Sequence, residues 1–189
     1  LLRQVTQRTG EVASIFNPRA EAYLEAGPFE VQPIIALSQL YIQADKRQEA
    51  ADLLKRAVEA HGEAKVQLHT AFAAAHAEAD HHDRALTLIE AVENDPEADR
   101  VLIMLKAEVL AESGEAAAAV KTLRDAIDDA AAQSTGRIYL RQRLASLYMQ
   151  LEKVDEAVKV YDDLVADYPD FAAELRYEAG VLAGRAGQD

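Results

Sequence analysis

Cysteine and tryptophan are absent from the 189 residues, and glycine (8) and proline (5) are scarce. Without Cys the chain has no disulfide, no thiolate metal ligand and no cysteine nucleophile, a state compatible with cytoplasm and periplasm alike. Long apolar runs are missing too. No stretch approaches the roughly 18 residues needed to cross a bilayer, and no basic segment followed by an apolar one reads as a signal peptide. Basic residues are outnumbered 20 to 33, which leaves a formal charge of -13, so a polyanion such as DNA or RNA would meet net repulsion. Membrane insertion of this segment and nucleic-acid binding are therefore not expected. The composition is that of an acidic, soluble, bacterial-type protein. A chain that opens Leu1-Leu2 without Met and closes in a helical pattern reads as a segment of a longer protein.

What is abundant is alanine, with 38 copies. Ala gives up least on entering a helix, and few Gly or Pro interrupt it, so an all-α fold is expected. Four stretches repeat one grammar. A small or polar residue is followed three places later by a bulky or aromatic one: Ser38/Tyr41, Ala73/His76, Ala107/Leu110 and Ala145/Tyr148. A polar break comes next, then an anchoring Ala (Ala50, Ala85, Ala119, Ala157), and four places on a large residue (Leu54, Ile89, Leu123, Tyr161). The anchoring alanines are 35, 34 and 38 residues apart, an interval filled by two helices of about 13 residues and two short turns. Antiparallel helices cross closely where one presents a small side chain, and large neighbours fill the groove so made. Leu37, Leu40, Tyr41, Leu53, Leu54, Leu144, Leu147, Tyr148 and Tyr161 recur at spacings of three and four and form the expected buried stripe. One pair cannot bury that stripe alone, so neighbours must stack.

Boundary signals accompany the pattern. Asp45-Lys46-Arg47-Gln48 reads as a capping box, Asp95-Pro96 as a helix start with Pro in the first turn, and Pro169 as the end of the last full unit. Before Val31, Leu2 to Phe16 reads as an amphipathic helix, Asn17-Pro18 as a break, and Arg19 to Ala26 as a short helix ended by Gly27-Pro28. After Pro169, Phe171 to Gly184 reads as one more first helix with Gly180 as a crossing residue and an apolar flank of Leu175, Val181 and Leu182 left exposed.

These residues resemble the tetratricopeptide repeat family, whose 34-residue unit has a large-small-large first helix and an Ala-large-Ala second helix. The first and fourth units carry the pattern best, in Leu37/Ser38/Tyr41 with Ala50/Leu54/Ala57 and in Leu144/Ala145/Tyr148 with Ala157/Tyr161 and Pro169. His69 and His76 in the second unit, and Lys106 in the third, depart from it. The interval before Ala157 is about one helical turn longer than the family's, with the extra residues placed in Ala130 to Gly136. The resemblance implies a right-handed α-solenoid of stacked antiparallel helix pairs, with residues 1–30 as an N-terminal cap or the end of an earlier unit. Four units would follow at about 31–64, 65–97, 98–134 and 135–169, and residues 170–189 would form a cap or a truncated fifth unit.

It implies, further, that the first helix of each pair lines a concave groove. In that register the groove-facing residues are Ile35, Gln39 and Ile42 from the first unit, Thr70 from the second, Met104, Leu105 and Glu108 from the third, and Tyr139, Gln142, Arg143 and Met149 from the fourth. Ile35, Gln39, Ala71, Val101 and Leu105 stand where chaperone-tail binders of the family carry a Lys, Arg and Asn clamp, so recognition of terminal acidic tails is not expected. Apolar anchors flanked by Gln and Arg143 suit an extended or helical peptide.

Chemistry finds no foothold in the sequence. His81-His82-Asp83 is the one local cluster of ligand types, yet adjacent histidines on a helix start diverge by about 100°, and a solvated turn is the expectation. His69 and His76, seven apart on one helical face, are expected as packing histidines in a pH-sensitive interior. The acidic pairs Asp128-Asp129 and Asp162-Asp163, and the Glu152/Asp155/Glu156 group, fall on outer faces with no pocket to shift them. No phosphate-cradling Gly loop, nucleophile elbow or zinc-protease motif occurs. The sequence therefore reads as a non-catalytic protein-interaction module needing no cofactor or metal, with a protein or peptide partner. Two alternatives stand beside it: self-assembly by end-to-end stacking of terminal helices, and a regulatory segment of a larger anchored or enzymatic protein.

Overall fold

The structure, a computed structural model, describes residues 31–130 and 135–186. The helices read before Val31 and the residues Ala131-Ala132-Gln133-Ser134 lie outside that range. Among the described residues there are nine α-helices and no strand: α1 (Val31–Gln43), α2 (Arg47–Ala60), α3 (Lys65–Glu78), α4 (His82–Glu90), α5 (Arg100–Glu112), α6 (Ala116–Asp129), α7 (Thr135–Gln150), α8 (Val154–Asp167) and α9 (Ala172–Ala186). The chain is all-α with neighbouring helices packed pairwise, as the alanine-rich composition requires. It divides after Leu102 into two compact units. In the first, α1 packs on α2 and α3, and α3 on α4; in the second, α7 packs on α6 and α8, and α9 packs on α8 and α7.

The small-and-large grammar is a burial code. All sixteen residues that define it are buried, from Ser38, Ala50, Ala73, Ala85, Ala119 and Ala145 at 0% exposure to Leu54 at 7%. Ser38 is the one aliphatic hydroxyl among them. It donates to the Ile35 carbonyl at 2.7 Å, which satisfies it one turn back on its own helix. In the first unit Ile34, Leu37, Tyr41, Leu53, Leu54, Leu68 and Phe72 form one continuous core. Leu40, expected in the stripe, is only half-buried.

Four turns join the members of successive pairs, and they are built alike. The second residue past each helix has positive φ: Asp45 (56°), Asp80 (58°), Gly114 (87°) and Glu152 (59°). Its N–H donates to the carbonyl three residues back, and the following N–H reaches back five. The latter bonds are Lys46 to Tyr41 (2.8 Å), His81 to His76 (2.8 Å), Glu115 to Leu110 (2.7 Å) and Lys153 to Tyr148 (2.8 Å). This pair of bonds closes a helix through a left-handed residue and uses carbonyls that would otherwise lack donors. Each positive-φ residue stands five places before an anchoring Ala, so the turn recurs with the sequence interval.

Several boundary readings are corrected. Asp45 caps nothing on α2, because it is the left-handed residue that ends α1. Its carboxylate pairs with Arg47 at 2.6 Å, while Gln48 bonds to Asp52 at 3.0 Å. Pro96 does not open a helix. Asp99 caps α5 instead, its Oδ1 accepting from the Val101 and Leu102 N–H groups at 2.9 and 3.2 Å, the geometry that makes Asp a strong N-cap. Part of the extra length before Ala157 is helical, since Thr135 and Gly136 form the first turn of the 16-residue α7. Leu175 is buried at 2% against the preceding pair, and Gly180 is no crossing residue, for a Cβ there would meet nothing within 4 Å. Val181 is exposed as expected, and Tyr177 (74%) joins it one turn away on the same face.

Candidate functional site

In the second unit α7 and α9 lie side by side, each the first helix after a polar turn. A 3-10 turn at Pro169–Phe171 starts α9: the Tyr168 N–H bonds the Leu164 carbonyl at 2.9 Å, which ends α8 and redirects the chain. A cleft of about 230 Å³ opens between α7 and α9, lined by Ile138, Tyr139, Gln142, Phe171, Glu174, Leu175 and Glu178. Tyr139 (60%) and Phe171 (51%) offer exposed rings, and Leu175 forms the floor. The charge in the cleft is of one sign, from Glu174 and Glu178, with no Lys or Arg in the lining. Gln142 Nε2 donates to Glu178 Oε2 at 2.6 Å and ties the two helices together. The Tyr161 hydroxyl nearby has its pKa raised by burial and, secondarily, by the charge of Glu178.

The groove residues read from the sequence fare unequally. Tyr139 and Gln142 meet in this cleft. Arg143 and Glu108 meet as an ion pair of 2.9 Å between α7 and α5, on the rim of a second hollow that Ala107, Leu123 and Leu147 help to line. Met104 and Leu105 are half-buried on α5, and Met149 is half-buried near the end of α7. In the first unit Ile35, Gln39 and Thr70 are half-buried, with the Thr70 hydroxyl donating to the Val66 carbonyl at 2.8 Å. Ile42 is a correction. At 2% exposure it belongs to the α1–α2–α3 core and presents no groove surface, because its place beside Tyr41 turns it inward just before the chain reverses.

A larger hollow, which the sequence did not disclose, lies within the first unit. About 430 Å³ in volume, it lies among α2, α3 and α4. Its apolar lining is Leu54, Val58, Phe72 and Leu88, and Arg47, Lys55, Lys65 and Arg84 surround it with Glu59 as the sole acid in the lining. Two histidines reach it. His69 Nδ1 donates to the Lys65 carbonyl at 2.9 Å, and burial lowers its pKa. His76 is nearly inaccessible (6%), and its pKa falls to about 4, chiefly through burial and then through the charges of His81, Arg84 and Arg47. His81 lies in the expected turn between α3 and α4, but it is only partly exposed. Its ring lies 5.6 Å from that of His76, and its Nε2 is 3.2 Å from Arg47 Nη2. Sequence reading missed the hollow because its four cations lie on three helices and far apart in the chain.

Among the described residues no group of three or more His, Cys, Asp or Glu side chains is placed to hold a metal ion. No described helix is long and apolar enough to cross a membrane. The acidic pairs Asp128-Asp129 and Asp162-Asp163 are exposed, as are Glu152, Asp155 and Glu156.

Residues 139–170 match the family model of the tetratricopeptide repeat. The match begins at Tyr139 on α7 and ends just past α8, so it spans the pair that carries one wall of the cleft. No curated protein and no solved structure matches the chain.

Proposed function

We propose that this tetratricopeptide-type chain is a protein-interaction module that holds a segment of a partner in the cleft between α7 and α9. Repeats of this family serve as protein-interaction modules in general. The observation that carries the finer reading is the composition of the cleft: two exposed aromatic rings beside two carboxylates, with no cation among the lining residues. Rings supply contact area at small cost in side-chain entropy, and a few such anchors dominate affinity. The partner segment therefore carries an apolar residue to lie between Tyr139 and Phe171 and a Lys or Arg to meet Glu174 and Glu178. Gln142, already bonded to Glu178, holds that carboxylate in place.

The test is selection from a random peptide library on the intact chain, followed by titration of the winners. Selected peptides are expected to pair an apolar residue with Lys or Arg, and to lose about tenfold or more in affinity against Tyr139→Glu, a hot-spot-sized effect. Circular dichroism should show unchanged helix content, since Tyr139 is exposed. Equal binding by wild type and Tyr139→Glu would contradict the cleft.

A second reading, stacking of copies through the terminal helix, is favoured by Tyr177 and Val181 on one open face of α9. Sedimentation velocity separates it from the first. A mass that rises with concentration and falls back in Tyr177→Glu supports stacking, and a monomer at all concentrations removes it.

A further inference from the structure

The hollow among α2, α3 and α4 belongs to the first unit and shares no residue with the cleft of the second, and its chemistry is of opposite sign. We propose that it is a second recognition site, for an extended acidic segment of a partner chain in which one apolar residue stands between two carboxylates. In a protein with a formal charge of -13, four cations converge on one apolar hollow. The volume, about 430 Å³, is that of a ligand site and far exceeds a packing defect.

The cations form two groups. Arg47 and Arg84 stand where α2 and α4 begin, and His81 beside Arg47 fixes that end. Lys55 stands past the middle of α2 and Lys65 where α3 begins, and the short turn at Gly62–Ala64 folds α3 back so that both line the other end of the hollow. Along α2 Arg47 and Lys55 are eight residues apart, about 12 Å at the helical rise. An extended chain covers that distance in about four residues, so carboxylates at positions i and i+4 reach both ends and the residue at i+2 meets Leu54, Phe72 and Leu88.

The cations are available for such a ligand to different degrees. Arg84 has no ion pair among the described residues. Lys55–Glu59 and Lys65–Asp95 are long contacts of 3.8 and 3.9 Å that a ligand carboxylate can displace. Arg47 keeps Asp45 at 2.6 Å and serves mainly to position His81 and the mouth of the hollow. A carboxylate between Arg84 and Arg47 lies against an apolar wall, where a charge-assisted bond gains most from partial desolvation.

The test is titration of the intact chain with a fluorescent peptide containing Glu-Ala-Leu-Ala-Glu, its Gln-Ala-Leu-Ala-Gln counterpart, and a long-chain dicarboxylate. The acidic peptide is expected to bind, and the neutral one to bind about tenfold or more weakly. Arg84→Glu and, independently, Lys55→Glu should each cause a loss of that order with helix content unchanged by circular dichroism, both residues being exposed. Tyr139→Glu should leave the acidic peptide's affinity unchanged, which separates this site from the α7–α9 cleft. Equal binding of both peptides, no binding of the acidic one, insensitivity to both charge reversals, or preference for the dicarboxylate over the peptide would each overturn the proposal.

Discussion

Glycine 114 and glutamate 152 occupy the same place in two equivalent turns, both at positive φ, and only one of them is suited to it. A side chain in the left-handed region costs about 1 kcal/mol or more unless it is Gly, Asn or Asp. Gly114→Ala is therefore expected to lower stability by about 1 kcal/mol through the backbone alone, for a Cβ there meets nothing within 4 Å. Glu152→Gly should raise it by a few tenths to about 1 kcal/mol. Urea unfolding at constant m-value measures both. The sequence hid this shared role because Asp is at home both as a left-handed turn residue and as an N-cap, and the string after Ala44 fits either. Its spacing of five before the anchoring Ala was the available signal.

His76 gives a second residue-scale expectation. Its pKa in the folded chain is about 4 against an ordinary 6.5. Above pH 6.5 it is neutral in both states and has no effect. As pH falls from 6.5 toward 4, the unfolded chain takes up the proton while the folded one resists, so stability declines through that window and levels off below it. The decline should be of the order of 1–2 kcal/mol by pH 5, above the range where most carboxylates titrate. His69, shifted in the same direction, adds to it. Denaturant melts of His76→Gln between pH 7 and 5 should show a shallower slope than the wild type. An unchanged slope would place the proton elsewhere.

At the scale of the element, the helix crossings were legible because they rest on side-chain volume, which sequence states outright. Ala119 in α6 is fully buried and Ala117, two residues earlier, is exposed. Ala119→Leu should cost about 1–3 kcal/mol by forcing α6 from its neighbour, whereas Ala117→Leu should fall within about 0.5 kcal/mol of wild type. Thermal or urea melts of the pair check the register of α6 directly. Helix starts were less legible. Pro96 satisfies the rule for a first turn yet lies in the loop, because Asp99 three residues later supplies a side-chain cap that Pro cannot. Ile42 shows the other blind spot, since a shift of one residue turns a side chain by about 100° and moves it from groove to core.

At the scale of the whole molecule, all-α pairing followed from composition and interval, while the sites followed from neither. Tyr139 and Gln142 were foreseen on the right helix, but their partners Phe171, Glu174 and Glu178 come from the 3-10 turn and α9, a segment read from the sequence as a cap or a truncated fifth unit with no groove residues. Arg47, Lys55, Lys65 and Arg84 share no motif at all and meet through packing of three helices. The account rests on a helix pair that recurs with the same turn, and amide hydrogen exchange on the intact chain, read residue by residue by NMR, tests this most directly. The amides of Lys46, His81, Glu115 and Lys153 lie between helices yet bond back five residues, so they should be protected alongside the flanking helices. Exchange of these four at the rate of an unstructured peptide, with only helix interiors protected, would contradict it.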